Sequence, residues 1–153
     1  MPGITGKYFE DYELEEVFES PGRTITETDL VLYAGLSGDY HQVHTDEDYC
    51  KGRSVFKKRI LHGLFALILV EGLKSRLGHF EGTSLASLEW NWKFLKPLFI
   101  GDTVHVRWHI KEKRETKKPD RGIMIETVQL ISQNGDVIGE GDHVIMIQRS
   151  KKE

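Results

Sequence analysis

The residues that could do chemistry gather in one stretch. GLSGDYHQVH, residues 35–44, places Asp39, His41 and His44 within six positions, directly ahead of Thr45-Asp46-Glu47-Asp48. A carboxylate and an imidazole on one loop can hold a water molecule between them and divide the work of general base and general acid. Adding water to a double bond, or removing it, needs that division, because each direction loses one proton and gains another. The bare spacing D-x-x-x-x-H also describes a well-solvated turn. Asp39, His41, His44, Asp46 and Asp48 further offer the nitrogen and oxygen atoms that a metal ion would take.

A second feature is His62-Gly63, which stands before the apolar run Leu64 to Val70. The first N–H groups of a helix have no internal partner, and the helix dipole there favours negative charge. Glycine at that point lets a ligand approach the backbone closely. Such an N–H suits the oxygen of a thioester enolate. Tight helix packing, with His62 acting as a cap, accounts for the same two residues.

The elements that must position these groups follow from periodicity. The segment GKYFEDYELEEVFESPGRTIT reads as a strand and a turn at Pro21-Gly22. Thr26 with Asp29 three residues later is a capping-box pattern, opening a short helix that should fail near Gly35 and Gly38. Asp39 then falls in the loop beyond, followed by a polar and basic stretch from Thr45 to Arg59. The 16 residues from His62 to Leu77 would make a helix about 24 Å long. Leu64 to Val70 is apolar on every side, so other structure must wrap it.

From residue 84 the period becomes two. Leu88, Trp90, Trp92 and Phe94 alternate with Glu89, Asn91 and Lys93, while Val104, Val106, Trp108 and Ile110 alternate with His105, Arg107 and His109. GIMIETVQLIS and VIGEGDHVIMIQ follow, joined through Asn134-Gly135, a hairpin signal; Pro119 marks the turn before them. An antiparallel sheet curled about one apolar helix is the economical arrangement, an α+β fold. Its strand edges invite a second copy.

Composition bounds the rest. At 153 residues the chain is read as one domain, 1–153, able to bury a real core. Lys and Arg total 21 against 24 Asp and Glu, a net charge of −3, which argues against a general nucleic-acid binder. Cys50 is the single cysteine, which excludes an internal disulfide and fits a reducing compartment; nothing distinctive surrounds it that would make it a nucleophile. The longest apolar stretch falls well short of the roughly 20 residues that cross a bilayer. The N-terminus lacks a basic segment followed by an apolar run, so a cytoplasmic protein is expected.

The motifs carry a resemblance. YAGLSGDYHQVHTD resembles the signature of the MaoC-like dehydratase and (R)-specific enoyl-CoA hydratase family, aromatic-A-x-L-S-G-D-x-N-P-x-H-x-D. FKKRILHGL, with Phe56, Ile60, His62 and Gly63, is similar to its F-x-x-x-I-x-H-G segment, and FLKPLFIGDTV to the stretch after its first long sheet strand. Together these span roughly residues 26–106 in the family's order. The resemblance implies a hot-dog fold working as a homodimer or pair of dimers, with no metal or redox cofactor and with CoA or an acyl carrier as part of the substrate. It implies reversible syn hydration of a 2-enoyl thioester, Asp39 and His44 activating water while the Gly63 N–H polarises the thioester carbonyl. His41, His62, Lys57 and Arg59 are expected as substrate contacts, the basic residues (with Lys58) toward the CoA phosphates.

There are departures. His41-Gln42 replaces the family's Asn-Pro, and His41 is read first as loop support, then as a substrate contact. Glu71 ends the apolar run, either where the helix emerges into water or, if inside the acyl pocket, favouring a polar or shortened substrate. A thioesterase on the same fold, or a non-catalytic acyl-thioester-binding subunit, are the alternatives.

Overall fold

A computed structural model describes residues 6–150; the N-terminal stretch around Ile4 lies outside the described residues. A 3₁₀ turn at Phe9–Asp11 leads to two short strands, β1 (Val17–Glu19) and β2 (Arg23–Thr24), where one strand was expected. Helix α1 (Glu27–Ser37) follows, with the capping box in place: Asp29 Oδ2 accepts from the Thr26 N–H at 2.8 Å. It ends at Gly38, whose φ of 74° is the left-handed cap that glycine adopts without steric cost.

The loop expected beyond Gly38 is short, and two small helices follow it, α2 (Gln42–Thr45) and α3 (Glu47–Gly52). Their caps explain them. The His41 ring accepts from the Val43 N–H and starts α2; Asp46 Oδ1 accepts from the Tyr49 N–H at 2.8 Å and starts α3. Period-based reading misses helices this short because they complete barely a turn.

Helix α4 spans Phe65–Ser75, shorter at both ends than the expected His62–Leu77. Gly63 therefore lies in the turn leading into the helix, where the carbonyls of His62 and Gly63 accept from the N–H groups of Phe65 and Ala66. Phe65, Ala66, Leu69, Val70, Leu73 and Lys74 form its buried stripe. The expectation that the apolar run is covered on every side fails within one chain: Leu64 and Ile68 are 59% and 47% exposed.

Four long strands complete the chain: β3 (Ser84–Phe94), β4 (Thr103–Glu115), β5 (Arg121–Ser132) and β6 (Val137–Gln148). With β1 and β2 they make a six-stranded antiparallel sheet in the order β1-β4-β5-β6-β3, β2 also pairing with β4. Val104, Val106, Trp108 and Ile110 are fully buried, as their alternation predicts. The expected grouping of Leu88 with the tryptophans does not hold. Leu88 is the extra residue of a bulge, and it is Ser87 that joins Trp90, Trp92 and Phe94 opposite the β6 residues Ile145, His143, Gly141 and Gly139. No helix among the described residues is long and apolar enough to cross a membrane.

Candidate active site

The cap at Gly38 turns the chain so that Asp39 faces the lead-in to α4. Asp39 Oδ1 accepts from the His41 N–H at 3.1 Å, which fixes the carboxylate locally; the side chain is half exposed. One turn on, His44 is 8% exposed and its Nδ1 donates to the Ile60 carbonyl at 2.7 Å. That bond selects the tautomer with a lone pair on Nε2. Burial lowers the His44 pKa below the ordinary histidine value and His62 and His41 add to the effect, while the Ile60 carbonyl and Asp39 pull the other way. The free base is thus favoured near neutrality.

One carboxylate oxygen of Asp39 and one ring nitrogen each of His44 and His62 all lie within 4.8 Å of one another. A single water making two hydrogen bonds of ordinary length spans about 4.6 Å. A cavity of about 280 Å³ opens beside the two histidines, lined by His44, His62, Gly63, Ala66, Phe94 and Ile138; Asp39 does not line it. Among the described residues no hydrogen bond uses the Gly63 N–H. A methyl at residue 63 would meet the Phe94 ring at 3.2 Å, so glycine keeps this wall open.

The remaining expected contacts divide. Arg59 is not directed at a ligand: its guanidinium binds both carboxylate oxygens of Glu27 at 2.7 Å and Glu47 at 3.0 Å, clamping the start of α1 to α3. The His41 ring is engaged as the α2 cap, the supporting role. His62 Nε2 donates to the Asp39 backbone carbonyl at 2.8 Å, so that nitrogen is committed to the loop. Lys57 and Lys58 are exposed, as is Glu71, which emerges into water and does not enter the cavity. Cys50 is fully buried under α2 with its thiol toward the Val43 carbonyl, and burial pushes its pKa up.

The spacing of these three donors would allow a metal ion, but their orientation argues against one. The His44 and His62 rings are stacked, centroids 3.7 Å apart and planes 24° from parallel. In-plane lone pairs of such rings do not converge on one ion at about 2.1 Å. Asp46, a second candidate ligand, is occupied as the α3 cap.

Sequence reading missed a buried charged cluster. Lys74 Nζ lies 2.5 Å from Glu126 Oε2, and the His143 Nδ1–H donates to that same oxygen at 2.9 Å. On its other side His143 Nε2 meets Ser87 Oγ at 2.8 Å. The order hydroxyl, imidazole, carboxylate is that of serine hydrolases. Here Lys74 Nζ is also 3.3 Å from His143 Nδ1, and an ammonium so close opposes the imidazolium such a relay must form. A lysine closing a helix and a glutamate and histidine in strands gave no sequence signal, because nothing in their spacing brings them together.

A six-stranded antiparallel sheet packed on one central helix, with an acid–imidazole pair at the helix entrance, defines a class of hot-dog proteins. A double hot-dog protein from Mycobacterium tuberculosis superposes with a TM-score of 0.85 at 19% identity, covering 97% of this chain and 46% of that one. The MaoC like domain model matches residues 11–132, and the chain belongs to that family. It is 33% identical over 141 residues to an (R)-specific enoyl-CoA hydratase of Rhodospirillum rubrum, 92% of this chain and 91% of the relative. It is 36% identical over 115 residues to Protein MaoC of Klebsiella aerogenes, 75% of this chain. The chain spans only 33% of the length of that protein.

Proposed function

We propose that this chain catalyses the reversible syn addition of water to a 2-enoyl thioester, giving the 3-hydroxyacyl thioester, in the cytoplasm and without a metal or redox cofactor. The reading is carried by the approach of the Asp39 carboxylate to within 4.8 Å of the His44 ring, which forms part of the cavity wall. The names of the relatives support the same chemistry, CoA or an acyl carrier supplying the thiol.

In this mechanism His44 Nε2 and Asp39 hold one water. As its oxygen attacks carbon 3, His44 takes a proton, and negative charge moves to the thioester oxygen, where the Gly63 N–H receives it. The dyad then returns a proton to carbon 2 from the same face, which makes the addition syn. One proton leaves the water and one reaches carbon, so the enzyme ends unchanged. Loss of enone absorbance across a panel of 2-enoyl-CoAs tests the reaction; release of free thiol from acyl-CoA instead would favour a thioesterase.

The pH dependence has a definite sign. His44 must be neutral to act as base, and its pKa lies below the ordinary value of about 6.5. The acid limb of kcat/KM is therefore expected below that pH, with activity lost as pH falls through it. An acid limb above pH 7 would contradict the assignment of His44.

The working unit in this reading is a homodimer. Leu64 at the entrance to α4 and Ile68 within it, with Leu85, Leu88 and Phe94 of the edge strand β3, form an exposed apolar set. A second copy covers it and supplies the wrapping that the apolar helix lacks. Ile68→Glu should convert a wild-type dimer to monomer in sedimentation; a monomeric wild type would remove the proposal.

A further inference from the structure

His62 is buried with 4% exposure between two rings: Tyr33 at 4.7 Å centroid distance and His44 at 3.7 Å. Its Nε2–H reaches the Asp39 carbonyl at 2.8 Å, and the Asp39 carboxylate lies 3.9 Å from the same nitrogen. Its Nδ1 is buried and has no hydrogen-bond partner among the described residues. A capping or substrate-contact role accounts for neither the stack nor the orphaned nitrogen. A phenyl ring would fill the same space without leaving a buried polar atom unpaired.

We infer that His62 is a positioning residue for the dyad: one side chain holds Asp39 by its backbone and His44 by its ring face, and so sets the gap that the water must fill. This rests on the hydration reading above. The requirement is geometric. Asp39 and His44 belong to different local structures, one on the turn after α1 and the other inside α2. The Asp39 carboxylate accepts from the N–H of His41, the α2 cap, and the His44 ring is held to the Ile60 carbonyl, but neither bond fixes the gap between the carboxylate and the ring. His62, entering from the lead-in to α4, touches both. Misplacing a reacting group by about 1 Å can cost on the order of 100-fold in rate.

The stack has an electrostatic consequence. The titratable groups facing His44 are His62 across the stack, Asp39, and His41 from the α2 cap. The His62 ring stacked on His44 adds to burial in disfavouring the His44 imidazolium. Removing it should move the His44 titration upward.

Two variants test this. His62→Phe keeps the ring stack and loses the donor; His62→Gln keeps an amide donor and loses the imidazole. For both, kcat for enoyl-CoA hydration should fall about 10- to 100-fold with KM within about threefold. The His44 ring, followed by NMR, should titrate at higher pH than in the wild type. The inference is overturned if both folded variants keep kcat within about threefold, or if kcat falls while His44 titrates where it does in the wild type, since core packing alone would do that. A wild type inactive on every enoyl thioester would defeat the proposed reaction, yet the NMR titration would still judge the contact between the two rings.

Discussion

Asp39→Asn is expected to lower kcat for enoyl-CoA hydration by roughly 10²- to 10⁴-fold, the range for loss of a general acid–base group, while leaving the melting temperature nearly unchanged. The amide keeps the shape of the carboxylate and an oxygen that can accept from the His41 N–H, so the turn after α1 retains its bond. What disappears is the charge and the capacity to take up a proton. The Asp39 side chain is 52% exposed, so the substitution creates no buried unpaired group and no cavity. His44→Ala should fall by a similar factor but at some cost in stability, because a buried ring and its bond to the Ile60 carbonyl go together. Steady-state kinetics with calorimetry on the same samples separates the two effects. An Asp39→Asn enzyme within about threefold of wild type would end the dyad mechanism.

The second large effect concerns stability. Lys74→Met should destabilise the fold by about 3–5 kcal/mol, the cost of stripping one partner from a buried ion pair. For a chain of this size that is roughly 6–20 °C in melting temperature. Glu126 is fully buried, Lys74 is 2% exposed, and Glu126 Oε1 has no partner among the described residues, so a lone carboxylate there has little else to turn to. Lys74→Met combined with Glu126→Gln removes both charges and should recover most of the loss, since the glutamine oxygen can still accept from His143. A Lys74→Met protein within about 1 kcal/mol of wild type would show that the pair carries little of the fold's stability.

The same cluster sets a pH dependence. Burial pushes the Glu126 carboxyl up, but Lys74 and His143 more than offset it, leaving the pKa below the ordinary carboxylate value. A carboxylate depressed in the folded state stabilises the fold above its unfolded pKa, and that stabilisation is lost as pH falls through the folded value. Denaturation midpoints should therefore decline below about pH 4.5, and decline less in the double variant.

How much was legible in advance depended on the range of the interactions. The α1 cap at Thr26, its stop at Gly38, the alternation of β4 and the β5–β6 hairpin are written within a few residues of where they act. Neighbours in sequence determine them, so the sequence alone sufficed. The motif around Asp39 and His44 was legible for the same reason. Bulges were not: the one at Leu88 depends on pairing with β6, and it moved a residue that simple alternation placed with the tryptophans. The uncovered side of α4 was not legible either, because an apolar residue is written alike whether its cover comes from its own chain or from a second copy.

The amino-acid sequence by itself determined the family motifs, the α+β layout and the nearness of a carboxylate and an imidazole, since each rests on residue type and short spacing. Only the tertiary structure decided that Arg59 serves as a clamp, that His62 touches both the Asp39 backbone and the His44 ring, and that Lys74 meets Glu126 and His143 in the core. Those contacts link residues 12 to 69 positions apart in the chain. Their geometry comes from packing a helix against a sheet, and no local pattern encodes that.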